Sequence, residues 1–279
     1  RGSWRANAYS NYANRYHYNG NFSVNYSLTK TSQKELPDYA VEKGFFVRWN
    51  HMQDSKARPN STFSANVNAG SSTFYRNNLS SSNNYLTNTF TSSVAFSKSW
   101  PGKPYSFSAG LSHSQNTSTR DISVSFPTAN FGISRQTPFK RKTAIGAAKW
   151  YEKIGVSYTT SLQNSISTKD TLLFRKESLD QLRYGIQHSI PISTSFSAFK
   201  YFTVSPAINY TEKWYLKTIE KKYDADTKTV NIDTVSGFKA AREFSFSANM
   251  NTRIFGLVQF KKGKIAAIRH VMTPNVGFS

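Results

Sequence analysis

The stretch Lys43–Gly70, KGFFVRWNHMQDSKARPNSTFSANVNAG, carries the reading of the fold. On its first arm Phe45, Val47, Trp49 and His51 share one side, and Phe46, Arg48, Asn50 and Met52 share the other. That is the period of two that a strand sustains. Residues 54–60 then supply Asp, Ser, Pro and Asn, which reverse a chain through local side-chain bonds or a fixed φ. The second arm alternates again, with Phe63, Ala65, Val67 and Ala69 opposite Thr62, Ser64, Asn66 and Asn68. A soluble sandwich usually gives its outer face many charges, whereas a face of Ser, Thr and Asn repeated arm after arm suits a wall between lipid and a watery lumen. The hairpin therefore predicts one unit of a transmembrane antiparallel β-barrel.

The same pattern extends both ways from the hairpin. Upstream, Trp4 to Arg15 alternates weakly, and Tyr18, Gly20, Phe22, Val24, Tyr26 and Leu28 alternate cleanly with Asn19, Asn21, Ser23, Asn25, Ser27 and Thr29. Downstream, a Ser- and Asn-rich connection holds Tyr75 and Tyr85 as interface candidates, before Phe90, Val94 and Phe96. After the turn SWPGKP come Tyr105, Phe107, Ala109, Leu111 and His113, then Ile122, Val124 and Phe126. Pro127 to Lys149 reads as a bulged strand with a long connection, and Ile154 to Gln163 resumes the alternation. Leu172, Leu173, Leu179 and Leu182 leave a short loop helix and a bent loop equally open.

Residues 184–197 and 202–214 predict a hairpin, with Pro206 at an edge or bulge because it lacks a ladder donor. YDADTK (223–228) is a hairpin tip, Arg242 to Ile254 is a strand, and KKGK (261–264) turns the chain into a last run, 265–279. The expectation is an all-β fold of about 12 strands. By periodicity alone they could close on themselves or form an arc of a larger barrel.

Composition agrees with this pattern. Mean hydropathy is −0.55, yet 15% of the 279 residues are aromatic, which disordered chains are not. Barrel strands lower the mean because every second residue is polar. No run of about 18 apolar residues exists, so a membrane helix is excluded. Nothing marks a linker between domains. The net charge of +21 calls for an anionic partner or setting: nucleic acid, a phosphorylated glycolipid or an anionic membrane. There is no cysteine, hence no thiolate metal site. Beginning at Arg1 in mid-pattern, the chain is expected to be a piece of a longer precursor.

Catalytic signals are missing. His17, His51, His113, His188 and His270 are far apart with no carboxylate at ligand spacing, and read as strand or rim residues. Asp224 and Asp226 resemble the start of a calcium loop without its Gly and closing Glu, so they read as a solvated tip. Neither a G-x-S-x-G elbow nor a Walker loop is present. Glu152, Glu177 and Glu220 sit in different segments. No enzyme activity, metal or cofactor is expected. Basic residues beside aromatics, as in Phe139, Lys140, Arg141 and Lys142, could grip nucleic acid. Because the aromatics ride a strand period, the reading adopted is an interfacial aromatic girdle with Lys and Arg at phosphorylated headgroups, and no nucleic-acid partner. Trp4, Trp49, Trp100, Trp150 and Trp214 are read as girdle residues near strand ends or turns.

Four stretches carry a family likeness: RWNHMQDSKARPNSTFSANVNAGSS (48–72), VSFPTANFGISRQTPFKRK (124–142), GIQHSIPISTSFSAFKYFTVSPAINY (185–210) and AIRHVMTPNVGFS (267–279). Together they resemble the LptD family of lipopolysaccharide-assembly outer-membrane proteins, in its Bacteroidetes-type form. The last contains an R-H-V-x-x-P segment. The resemblance implies a large barrel in a Gram-negative outer membrane, with residues 1–279 a partial barrel. A periplasmic jellyroll and the seam strands would lie outside this piece.

It also implies transport without bond chemistry: lipopolysaccharide arrives from a periplasmic protein bridge, an LptE-like plug lipoprotein sits in the lumen, and the cargo is inserted into the outer leaflet. The cysteines that tie jellyroll to barrel in well-known members have no counterpart here. Under this resemblance Arg48, on the face of Asn50, points to the lumen, while Lys140, Arg141 and Lys142 meet headgroups of outer-membrane lipid at a rim. All four are candidate ligands for lipopolysaccharide phosphate or sugar. The alternatives are a porin or uptake-receptor barrel for small solutes, and a soluble basic β protein that binds nucleic acid.

Overall fold

The computed structural model describes residues 2–74, 88–143, 146, 148–173, 175–176, 178, 181–225, 228–260 and 266–279. Tyr75, Tyr85, Glu177, Leu179, Asp226 and the turn 261–264 fall outside them. The strands are β1 (Trp4–Asn14), β2 (Tyr18–Lys30), β3 (Val41–Gln53), β4 (Ser61–Gly70), β5 (Thr89–Ser99), β6 (Tyr105–Asn116), β7 (Asp121–Gln136) and β8 (Gly155–Lys169). They continue as β9 (Arg183–Ser193), β10 (Phe196–Ala198), β11 (Phe202–Asp224), β12 (Thr229–Thr252), β13 (Ile254–Gln259), β14 (Ala267–Met272) and β15 (Asn275–Phe278). One sheet of 13 strands runs in the order β1 to β9, β11, β12, β15, with β10 beside β11; β13 and β14 pair separately. The twelve strands on that path match the expected number, and no pairing returns from β15 to β1 among the described residues. By contact density the chain divides into two units: Arg1–Phe131, Ser161–Ile186 and Tyr215–Lys239, and Gly132–Thr160, Gln187–Trp214 and Ala240–Ser279.

In the first unit, register brings like faces together. Phe22, Val24 and Tyr26 stand opposite Trp49, Val47 and Phe45. Trp49 and Val47 in turn face Val67 and Ala69. Ala65 and Phe63 meet Val94 and Phe96, which meet Leu111 and Ala109. A slip of one residue at any pair would put every apolar side chain on the polar face, so the pattern itself fixes the register.

The polar face is partly covered. After β4 the chain folds back, with Ser71 N donating to Phe45 O at 2.9 Å and Phe74 N to Ser71 O at 2.9 Å. This lays Phe74 against Phe46, and both pack with Phe90 as a buried cluster. Gly44 permits it: a Cβ there would come within 2.9 Å of Ser27 Oγ and 3.4 Å of the Phe74 ring. Phe46 and Phe90 meet because the β4–β5 register stops at Asn66↔Ser93. Beyond it the Ser92 hydroxyl accepts from Asn68 N at 2.9 Å and donates to Asn68 O at 3.0 Å, standing in for the ladder.

Two prolines punctuate the second unit. Pro206 lies opposite the gap between β9 and β10, where Thr194 N donates to its carbonyl at 3.2 Å, the bulge position expected of a residue without an N–H. The expected single run 265–279 is two strands, because Thr273–Pro274 interrupts it: β14 pairs with β13, and β15 pairs with β12 from Ala248↔Phe278 to Asn251↔Asn275. Likewise Ile254 begins β13 and does not end β12, which itself starts at Thr229. In the first unit, the 170–183 connection is a 3-10 turn at Asp170–Leu172 followed by i to i+3 bonds, Arg175 N to Leu172 O and Ser178 N to Arg175 O, at 2.9 and 3.1 Å. Of the described residues there, Lys176 and Ser178 are helical, on the side of the loop helix.

Candidate functional site

Arg48 stands at the middle of the polar face. Across the strands its row reads Tyr9, Ser23, Arg48 and Asn68. Its Nε donates to Asn68 Oδ1 at 3.2 Å and its guanidinium lies 5.7 Å from the Phe46 ring, so both neighbours orient it while the residue stays exposed. One row along, Asn11, Asn21, Asn50 and Asn66 are aligned. The face offers amides, hydroxyls and, in Arg48 and Arg5, cations to whatever lies against it.

The three other candidates lie between β7 and β8, where they behave differently from one another. Lys140 and Lys142 are exposed, Lys140 N closing a turn onto Thr137 O at 3.2 Å. Arg141 is turned inward onto the buried carboxylate of Glu152, with Nε against Oε1 and Nη2 to Oε2 at 3.1 Å. Glu152 also accepts from Lys149 N at 2.6 Å. The Arg141 bond, then the backbone N–H of Lys149, hold the Glu152 carboxyl down at about 2 against their opponent, burial. Sequence reasoning left Glu152 without a role, because pairing across 11 residues of loop leaves no periodic signal.

A second strap was also invisible. Arg135 Nη2 donates to Lys153 O at 3.0 Å and Ser193 O at 2.9 Å, and its guanidinium lies where a Cβ on Gly155 would be. Because folding lowers the Glu152 pKa from 4.5 to about 2, its stabilisation of the connection is present above about 4.5 and lost as pH falls towards 2. Trp150 reports on this loop. The emission difference between the parent protein and Trp150→Phe is expected to change in that window, and Glu152→Gln to abolish the change; a difference flat with pH would contradict the pairing.

Three of the strand histidines pair with hydroxyls. Tyr12 Oη lies 2.9 Å from His51 Nδ1 and accepts from Trp49 Nε1 at 2.7 Å. Tyr158 Oη lies 2.8 Å from His188 Nδ1, beside Trp214 at 4.2 Å between ring centroids. Ser92 Oγ lies 3.1 Å from His113 Nδ1. His17 is in a turn and His270 in β14. Among the described residues no three His, Cys, Asp or Glu side chains stand close enough to hold a metal. Of the tryptophans, Trp4, Trp100 and Trp150 are at a strand start or in turns, but Trp49 and Trp214 lie inside β3 and β11, where they pack on histidines.

A long antiparallel sheet of two-faced strands is the arrangement of an arc of a β-barrel wall. The family model described as LptD protein matches residues 1–279, so the chain belongs to the LptD family. This is a family of outer-membrane proteins of lipopolysaccharide transport and assembly, and not of enzymes. Comparison with curated proteins gives no match.

Proposed function

We propose that the chain is the wall of a translocon that inserts lipopolysaccharide into the outer leaflet of the outer membrane, in the Bacteroidetes-type form of the family. The observation that carries the reading is the two-faced sheet of a chain matched along its whole length by the family model. The face of Phe45, Val47 and Trp49 meets lipid, and the face of Asn25, Arg48 and Asn50 lines a wet lumen. Residues 1–279 form one part of the barrel, with a periplasmic jellyroll and seam strands supplied by the rest of the protein. A plug lipoprotein fills the lumen, and a periplasmic bridge delivers the cargo.

Arg48 offers the lumen a cation for sugar or phosphate. Lys140 and Lys142, exposed on a loop that the Arg141–Glu152 pair holds in shape, meet lipid phosphates at a rim. Arg141, with its guanidinium already engaged, acts by holding that loop. Depletion of the full-length protein, followed by surface labelling of newly made lipopolysaccharide, tests the reading. Surface glycolipid is expected to fall and internal glycolipid to rise while other outer-membrane proteins still assemble. Complementation with Lys140→Glu and Lys142→Glu together, or with Arg48→Glu, is expected to restore it only in part. Unchanged surface lipopolysaccharide on depletion would overturn the function.

A further inference from the structure

Across the polar face of the first unit, pairing lines up Asn11, Asn21, Asn50 and Asn66 in one row perpendicular to the strands, and the row continues through Ser93 to Ser112. Six successive strands contribute, and none contributes a charge. Neighbouring strands stand about 4.8 Å apart, so the row presents amide or hydroxyl groups at each such step along the wall. All six residues are exposed or half-exposed. Asn11, Asn21 and Asn50, with Asn19, line an open concavity of about 410 Å³. The hydrogen bonds that Tyr9 Oη donates to Asn11 Oδ1, at 2.5 Å, and Asn68 Nδ2 donates to Asn66 Oδ1, at 2.9 Å, run along single strands; neither closes the row across them.

The chemistry of the row selects its ligand. A carboxamide offers two donors and an acceptor on one planar group, and a hydroxyl both donates and accepts. An ionised phosphate only accepts, so it would leave the Asn carbonyl oxygens facing an anion. An acyl chain would leave every group unpaired, at the cost of desolvating it. A sugar hydroxyl also donates and accepts, and neighbouring hydroxyls on one ring can each engage a neighbouring amide. We infer that the row Asn11–Asn21–Asn50–Asn66–Ser93–Ser112 is a binding track for uncharged sugar residues of a glycan, which it engages through amide and hydroxyl bonds without using charge. The inference rests on the transport reading and deepens it: the row takes the neutral glycan of the cargo, and Arg48, one row away, takes an anionic group.

The test places a photoreactive phenylalanine analogue at position 21 or 50 of the full-length protein in cells, with position 49, on the apolar face, as control. With complete lipopolysaccharide, adducts to glycolipid are expected at 21 and 50, whereas any adduct at 49 is to acyl chains of the surrounding leaflet and does not depend on the glycan. In a strain whose lipopolysaccharide is truncated to its lipid and phosphorylated inner sugars, the yield at 21 is expected to fall at least about tenfold. Asn50→Val with Asn66→Val, probed from 21, is expected to lose about tenfold as well, from two forfeited amide bonds, while Asn50→Gln with Asn66→Gln retains most of the yield. Adducts that persist undiminished with truncated glycolipid would overturn the inference, as would a protein adduct in place of the glycolipid or no adduct at either position. If depletion leaves surface lipopolysaccharide unchanged, the transport reading itself fails, an outcome separate from any adduct pattern.

Discussion

Val47→Arg is expected to destabilise the full-length protein in lipid by about 2–4 kcal/mol, the cost of a cation on the lipid face of a barrel near mid-bilayer. Val47 is central in β3, and its neighbours across the sheet are Val24 and Ala69. Neither of these cross-strand partners is acidic, and position 47 is at the middle of the strand. Ser112→Arg is the matched control, since Ser112 stands exposed on the polar face of β6. There the guanidinium meets water, and the change is expected to stay within about 1 kcal/mol. Urea unfolding from lipid vesicles reads both. Equal losses would mean that the two faces do not see different solvents.

Phe46→Ala is expected to cost about 3 kcal/mol or more, the usual penalty for emptying a buried aromatic site. Phe46 is 3% exposed between Phe74 and Phe90, although it stands on the polar face. Its removal takes away the surface on which residues 71–74 rest, so hydrogen exchange at Ser71 and Phe74 should rise with it. Phe45→Ala, one residue away on the apolar face and half exposed, is expected to lose less and to leave 71–74 protected. If both substitutions gave the same exchange, Phe46 would not be what holds the fold-back.

The strands were legible because each reports itself locally. Phe45 to Met52 shows a period of two without reference to any other segment, and the apolar sides of β2, β3 and β4 can coincide in only one register parity. What lay between strands was not legible. Nothing about Phe74 in a Ser-rich connection signals that it will roll onto Phe46, because that contact needs the turn at Ser71 and the missing Cβ of Gly44 together. Glu152 and Arg141 meet through loop geometry, and Arg135 reaches two carbonyls across the chain.

Proline was readable in part. Pro206 announced a bulge, whereas Pro274, in a run that otherwise alternates, marked a change of pairing partner that alternation alone could not reveal. Of the candidate site, the face of Arg48 followed from its parity with Asn50. The basic run 140–142 showed only its charge, and hid that its middle member is paired inward. The amide row required the register of six strands at once, which a single strand's pattern does not contain.

Single cysteines placed in turn at positions 45 to 50 of the full-length protein, in outer membranes, test the central claim most directly. The chain itself has no cysteine, and any outside residues 1–279 is replaced first. Positions 45, 47 and 49 are expected to react with a membrane-dissolved maleimide and resist a charged one. Positions 48 and 50 should show the reverse, and position 46, on the same face and without the ring that holds residues 71–74, should follow them. Uniform reaction of 45 to 50 with the charged reagent would contradict a lipid-facing wall.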